Sequence, residues 1–147
     1  MVEISGKPDT LRIACAEGKI KLRKETIKRI REGKIEKGDP LTIAQLAGIM
    51  AAKKTPEIVP LCHPISITGV KIEFQISNEE IIVKSEVKAV AKTGVEMEAL
   101  TATLVALLTI WDVVKAYEKD EAGQYPDTKI TEIKVASKIK REIEEEK

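Results

Sequence analysis

The chain has 147 residues, of which 43% are hydrophobic and 33% charged, enough apolar content for one buried core and too much for a disordered chain. Its 25 Lys and Arg against 24 Asp and Glu create no global field for nucleic acid, and 3% aromatic residues offer few stacking platforms, so no nucleic-acid partner is expected. Cys15 and Cys62 form no CxxC and are too few for a structural zinc site, and the first eight residues contain no secretory apolar run. A cytoplasmic protein with reduced thiols is expected.

Residues 1–10 contain Gly6, Pro8 and Asp9 without periodicity, which predicts a flexible arm that orders on docking or ligand binding. A strand over 11–21 and a short helix over 24–32 follow, the helix turning Ile27 and Ile30 inward and ending at Gly33. Asp39 is a good N-cap and Pro40 a good first helical residue, so a second helix is expected over 40–54. Ile43, Leu46, Ala47 and Met50 are its expected buried stripe, while Gly48 and the alanines permit close packing. Lys53 and Lys54 lie where the helix dipole favours cations, and read alone they are a solvated last turn.

His63, the single histidine, sits between Pro60 and Pro64, which restrict the backbone. On an extended chain Cys62 and His63 point to opposite faces, which argues against a nucleophile–base dyad. His63 reads as a ligand-contacting or proton-transferring group and Cys62 as a packing residue. Residues 65–77 and 81–90 alternate as a hairpin, with Gly69 shifting the phase as a bulge does, and with Lys84, Glu86 and Lys88 on a polar face.

The segment 99–117 is apolar nearly all round, which predicts a helix buried on several sides and, at that length, too short to span a bilayer, so no membrane partner is expected. Glu96 and Glu98 stand where it begins, after the Thr93–Gly94 turn, and Asp112 and Lys115 share a face at its far end. Glu98 and Asp112 lie roughly 21 Å apart along such a helix, too far for one small-molecule site on one chain, which motivates a symmetric oligomer. A loop over 120–128 precedes a last strand over 129–140, with Ile133, Val135 and Ile139 expected on one side and Lys134, Lys138 and Lys140 on the other. Residues 141–147 read as a charged tail. The whole chain is expected to be a single α+β domain, a ferredoxin-like antiparallel sheet with helices packed on one face.

Lys37, Lys53, His63, Glu96, Glu98, Asp112, Lys115 and Lys138 form a mixture suited to a polyanionic substrate whose reaction needs acid and base steps. A metal hydrolase would carry more His or clustered Asp, and Walker, GxGxxG, GxSxG and HExxH motifs are missing.

The words Lys37-Gly38-Asp39, Pro60-Leu61-Cys62-His63-Pro64, Lys92-Thr93-Gly94-Val95-Glu96-Met97-Glu98-Ala99-Leu100-Thr101-Ala102 and Asp112-Val113-Val114-Lys115 resemble the cyclic pyranopterin monophosphate synthase family, the molybdenum cofactor biosynthesis protein C family. The resemblance runs through nearly the whole chain in order. It implies a homohexamer built as a trimer of dimers, with sites at subunit interfaces. It implies a lyase that converts (8S)-3',8-cyclo-7,8-dihydroguanosine 5'-triphosphate, a cyclised dihydro-GTP, to cyclic pyranopterin monophosphate and diphosphate. Carried over residue by residue, it implies that Leu61, Cys62, His63, Met97 and Glu98 contact substrate and that Asp112 is the acid/base. Lys115 would be the proton-transfer partner or phosphate contact of Asp112, lowered in pKa if the site is partly dry. Lys37 and Lys53 would hold the triphosphate or reacting ring, Glu96 the base-like end, and Lys138 the remaining lysine position.

No cofactor is required on this reading, no protein-held metal is expected, and Mg²⁺ accompanying the triphosphate is left open. Two departures stand out: Glu3 replaces the family's usual Asp, and Ala136-Ser137-Lys138-Ile139-Lys140 replaces its glycine-rich ending, so Lys134 and Lys140 compete with Lys138. The alternatives are a non-catalytic nucleotide- or pterin-binding oligomer on the same fold and, disfavoured by charge and composition, a single-stranded nucleic acid binder.

Overall fold

The computed structural model describes residues 1–143. The elements in chain order are β1 (Thr10–Lys21), α1 (Lys24–Arg31), α2 (Pro40–Lys53), the single turn α3 (Thr55–Ile58), β2 (Ile67–Ile76), β3 (Glu80–Ala91), α4 (Glu96–Glu118) and β4 (Lys129–Arg141). The four strands form one antiparallel sheet in the order β2-β3-β1-β4, with α2 and α4 packed together across its apolar face, the ferredoxin-like arrangement expected.

Alternation builds the sheet. Ala14, Ala16 and Ile20 of β1 and Ile81, Val83, Val87 and Ala89 of β3 are buried beneath α4, whose Ala99, Ala102, Ala106, Leu107, Ile110 and Val114 are wholly buried. Lys84, Glu86 and Lys88 face away from the helices, as expected, and the register shift between Ile67 and Gly69 is the predicted bulge. Asp39 caps α2 by accepting from the Leu41 N–H at 3.1 Å and the Thr42 hydroxyl at 2.6 Å.

Small side chains set the spacing of the layers. A Cβ on Gly48 would lie 3.0 Å from the Ala102 carbonyl oxygen, and one on Gly18 would run into the ends of Ile133 and Leu107. The face of α2 that packs is therefore Ala44, Gly48, Ala51 and Ala52. The expected stripe is wrong for that reason: Ile43, Leu46 and Met50 are exposed and Ala47 is half-buried. Close backbone approach against α4 outweighs burial of the larger residues.

Three other expectations change. α4 runs 23 residues rather than 19, long and apolar enough to cross a bilayer on those counts alone, but over half of that stretch is buried against the sheet and α2. Thr10 opens β1 and is buried, and the arm before it lies against the body: the Lys7 carbonyl accepts from Lys92 at 2.9 Å, and Asp9 sits 3.9 Å from the same ammonium. Arg141 belongs to β4, whereas residues 144–147 of the expected tail lie outside the described residues.

β4 departs from simple alternation because two bulges interrupt its ladder with β1, one between Cys15 and Ala16 and one between Glu17 and Lys19. Ala16 pairs with Val135 but Cys15 with Ser137, so the phase flips at Ala136. Lys138, opposite Ala14, and Lys140, opposite Arg12, consequently come to the helix side with Val135. Ile139, opposite Ile13, goes to the other side, where Lys134 already stands opposite Glu17. The expected grouping of Lys134, Lys138 and Lys140 on one side is thereby corrected.

One buried carboxylate locks the far end of α4. Glu118, 1% exposed, accepts the Arg23 N–H at 3.1 and 3.2 Å, the Thr128 hydroxyl at 2.8 Å and the Thr26 hydroxyl, tying α4 to the start of α1 and the loop before β4. Glu118→Ala is expected to lower the unfolding free energy by about 3 kcal/mol, the cost of orphaning several buried donors. Urea denaturation reads this directly, and a loss under about 0.5 kcal/mol would contradict the structural role.

Candidate active site

At the C-terminal end of α4, helical spacing puts Lys115 one turn after Asp112, and their side chains pair at 3.2 Å. The loop between α1 and α2 brings Lys37 to the same carboxylate at 3.4 Å and to the Asp112 carbonyl oxygen at 3.2 Å. Tyr117 steadies that loop, its hydroxyl accepting the Glu36 N–H at 3.0 Å. The Lys115 and Lys37 ammoniums hold the Asp112 carboxyl below the usual carboxylate range, so it is an ionised base in the free protein. Asp112 and Lys115 are 57% and 42% exposed, so one chain alone does not form the partly dry environment expected around this pair.

The opposite end of α4 has the opposite electrostatics. Glu98 is 2% exposed, with one oxygen 3.8 Å from the Cys62 sulfur and the other without a hydrogen-bond partner among the described residues. Burial, reinforced by nearby Glu96, pushes its pKa up to about 7, against its own backbone N–H and the Cys62 thiol. The Cys62 thiol is itself raised, by burial and then by Glu98, so it is a protonated donor to Glu98 rather than a nucleophile.

His63 points elsewhere: its Nε2 donates to the Val2 carbonyl oxygen at 2.6 Å, which assigns the proton to that nitrogen. The thiol and the imidazole thus form no dyad, as the sequence argues. The bond also fastens the N-terminal arm over the segment 61–64. Leu61 and Met97 stand beside this end, 70% and 42% exposed.

The phase flip in β4 brings Lys138 to Glu96 at 3.2 Å, whereas Lys134 is drawn to Glu17 at 3.2 Å on the other face. Of the competing C-terminal lysines, Lys138 and Lys140 reach the α4 start and Lys134 does not. Lys53 is exposed at the end of α2 and makes no ion pair among the described residues. Arg12, not among the residues singled out by the sequence, lines the same cavity as Gly94, Glu96, Lys138 and Lys140. Its signal is a charged residue in phase with Ala14, Ala16 and Ile20 on the apolar face of β1.

Apart from Lys53, the structure therefore gathers the singled-out polar residues into two groups: Lys37, Asp112 and Lys115 at one end of α4, and Cys62, His63, Glu96, Glu98 and Lys138 at the other. It does not unite them, since fourteen helical residues separate Glu98 from Asp112 by roughly 21 Å. Among the described residues no three His, Cys, Asp or Glu converge as metal ligands.

Comparison with known proteins gives one consistent result. The chain is 64% identical over 142 residues to a protein of Pyrococcus furiosus named "Probable cyclic pyranopterin monophosphate synthase", covering 97% of this chain and 91% of the relative. Proteins of the same name from Sulfurisphaera tokodaii and Saccharolobus solfataricus are each 61% identical over 140 residues, or 95% of this chain and 93% and 94% of theirs. The MoaC family model matches residues 1–140, and with this extent of match the chain belongs to the MoaC family.

Proposed function

We propose that this protein is a cyclic pyranopterin monophosphate synthase of molybdenum cofactor biosynthesis, a lyase acting in the cytoplasm on the cyclised dihydro-GTP triphosphate. The observation that carries the reading is the convergence of Lys37 and Lys115 on Asp112 in a chain this similar to proteins of that name. Making a cyclic monophosphate from a triphosphate requires a substrate hydroxyl to attack the α-phosphorus while diphosphate departs. Lysines offset the charge on the phosphates and the leaving group, and carboxylates move the protons of ring opening and reclosure.

Two carboxylates in contrasting environments divide that work. Asp112, kept ionised by two ammoniums, accepts a proton, and Lys115 relays it. Glu98, protonated at neutral pH in part, donates to the guanine-derived rings, with Cys62 holding its other oxygen. His63, Leu61 and Met97 border the substrate, and Lys53 meets its phosphates. A Mg²⁺ in this site would ride on the phosphates with at most one or two carboxylates.

The reading includes a site completed by a second subunit, within a hexamer arranged as a trimer of dimers. Met97, Leu104, Leu108, Asp112 and Lys115 fall on one stripe of α4 by helical spacing, and Leu104 and Leu108 are 45% and 61% exposed midway between the two clusters. A two-fold axis crossing that stripe brings Asp112 of one chain toward Glu98 of the other. The exposed Leu46 and Met50 of α2 supply further apolar surface of the kind such an interface buries.

Incubation with the cyclised dihydro-GTP is expected to release diphosphate and form an oxidisable pterin, and Asp112→Asn is expected to lower kcat about 100-fold or more. Near-normal turnover in that variant, or binding without product in the wild type, would contradict the proposal. The raised pKa of Glu98 has its own signature: its proton stabilises the fold fully below the unfolded value near 4.5, and that contribution is lost as pH rises through about 7. Wild-type stability is therefore expected to fall between pH 4.5 and 7 relative to Glu98→Gln; parallel denaturation profiles would refute the assignment.

A further inference from the structure

We infer that the outer face of α1, where Lys24, Lys28 and Arg31 border a hollow, is a docking surface for the acidic segment 142–147 of a second copy of this chain. None of these residues belongs to the groups gathered at the ends of α4, and the inference does not rest on the synthase reading.

Positive charge is concentrated here. Residues 23–34 carry Arg23, Lys24, Lys28, Arg29, Arg31 and Lys34 against Glu25 and Glu32, in a chain whose net charge is +1. Ile27 and Ile30 turn inward and are buried, so Lys24, Lys28 and Arg31, each about one helical turn after the last, fall together on the outer side. With Ile27 and Asn78 they border a hollow of about 320 Å³, and no carboxylate lines it among the described residues.

These cations are loosely held. Lys24 lies 3.8 Å from Glu79 and Lys28 4.0 Å from Glu32, and the two lysine side chains are 70% and 76% exposed. Arg31 gives one terminal nitrogen to the Ile76 carbonyl at 3.1 Å, and Arg29 is turned elsewhere, 4.7 Å over the Tyr117 ring. Lysine and arginine donors thus remain for further carboxylates. A membrane is a poorer occupant, because the isoleucines of α1 are spent on the core, and a nucleic acid finds no aromatic side chain in the hollow on which to stack.

The chain supplies the complement itself. Glu142, Glu144, Glu145 and Glu146 place four carboxylates within five residues. They follow β4, whose Arg141 pairs with Leu11, whereas α1 follows Lys21 at the opposite end of β1. The strand from Leu11 to Lys21 is roughly 34 Å long, and the segment 142–147 spans at most about 20 Å when fully extended. The segment therefore meets α1 of another copy and not its own. One exposed ion pair contributes little, so the contact draws its strength from several pairs at once and from copies already held together.

Carbodiimide cross-linking of the full chain, with isotope-labelled and unlabelled copies refolded together, tests this. Links from Glu142–Glu146 to Lys24 or Lys28 are expected to join labelled with unlabelled peptides and to fall severalfold at high salt. In the full-length variant carrying Glu142→Gln, Glu144→Gln, Glu145→Gln and Glu146→Gln, a fluorescent peptide of residues 142–147 is expected to bind, read by its anisotropy. Adding Lys24→Gln and Lys28→Gln is expected to weaken that binding about fivefold or more, the scale of two lost exposed ion pairs. The same peptide with lysine in place of each glutamate is expected not to bind. Links that are missing, that form within one chain, or that go to other lysines alone would overturn the inference, as would peptide binding indifferent to Lys24 and Lys28. Retention of single-stranded RNA or anionic vesicles through these lysines, without binding of the peptide, would overturn it in favour of a different anion.

Discussion

The rigid spacing along α4 governs everything else in this protein. The helix carries no charge from Ala99 to Trp111, so it can lie between α2 and the sheet, and it runs there as one uninterrupted element of 23 residues. Gly48 lets α2 approach from one side and Gly18 lets the helix settle on β1 from the other. Its charged groups are confined to its two ends, Glu96 and Glu98 at the start and Asp112, Lys115 and Glu118 at the finish. Function in this chain is a matter of what a buried rod presents at each end.

Those ends are unlike for a physical reason. Glu98 faces inward in the first turn, where burial disfavours its charge and the Cys62 thiol is the only side chain that donates to it among the described residues. Asp112 faces outward between two ammoniums, where its charge is favoured. One fold thereby holds one carboxylate ready to give a proton and another ready to take one, using nothing but position along a helix. The same geometry forbids the two from meeting within a chain, which is why the proposed site needs a partner.

Much of this was legible beforehand. Asp39-Pro40 announces the start of α2, Gly69 the bulge in β2, and the uncharged run after Glu98 the core helix, because each is a local signal with a local cause. What escaped the sequence depended on tertiary packing. Ile43, Leu46 and Met50 look like the buried face of α2 by hydrophobicity, yet close approach to α4 selects the glycine and alanine face instead. The sides of β4 were misread because a bulge at Ala136, without glycine to signal it, inverts every later residue. That inversion also concealed Arg12 and Lys140 as neighbours of Glu96. The roles of Asp112, Lys115, Cys62 and His63 came from the resemblance of whole words, not from periodicity.

The most direct measurement mixes two inactive proteins. Asp112→Asn and Glu98→Gln, unfolded together and refolded in equal amounts, assort at random, and half of the resulting dimers contain one chain of each kind. In such a dimer one site combines an intact Glu98 with an intact Asp112 from the other chain. Diphosphate release should then return to about a quarter of the wild-type rate, as expected for isologous pairing with shared sites. Activity that stays at the level of the two separate variants would contradict the shared site, and with it the account of α4 as a rod whose ends serve different subunits.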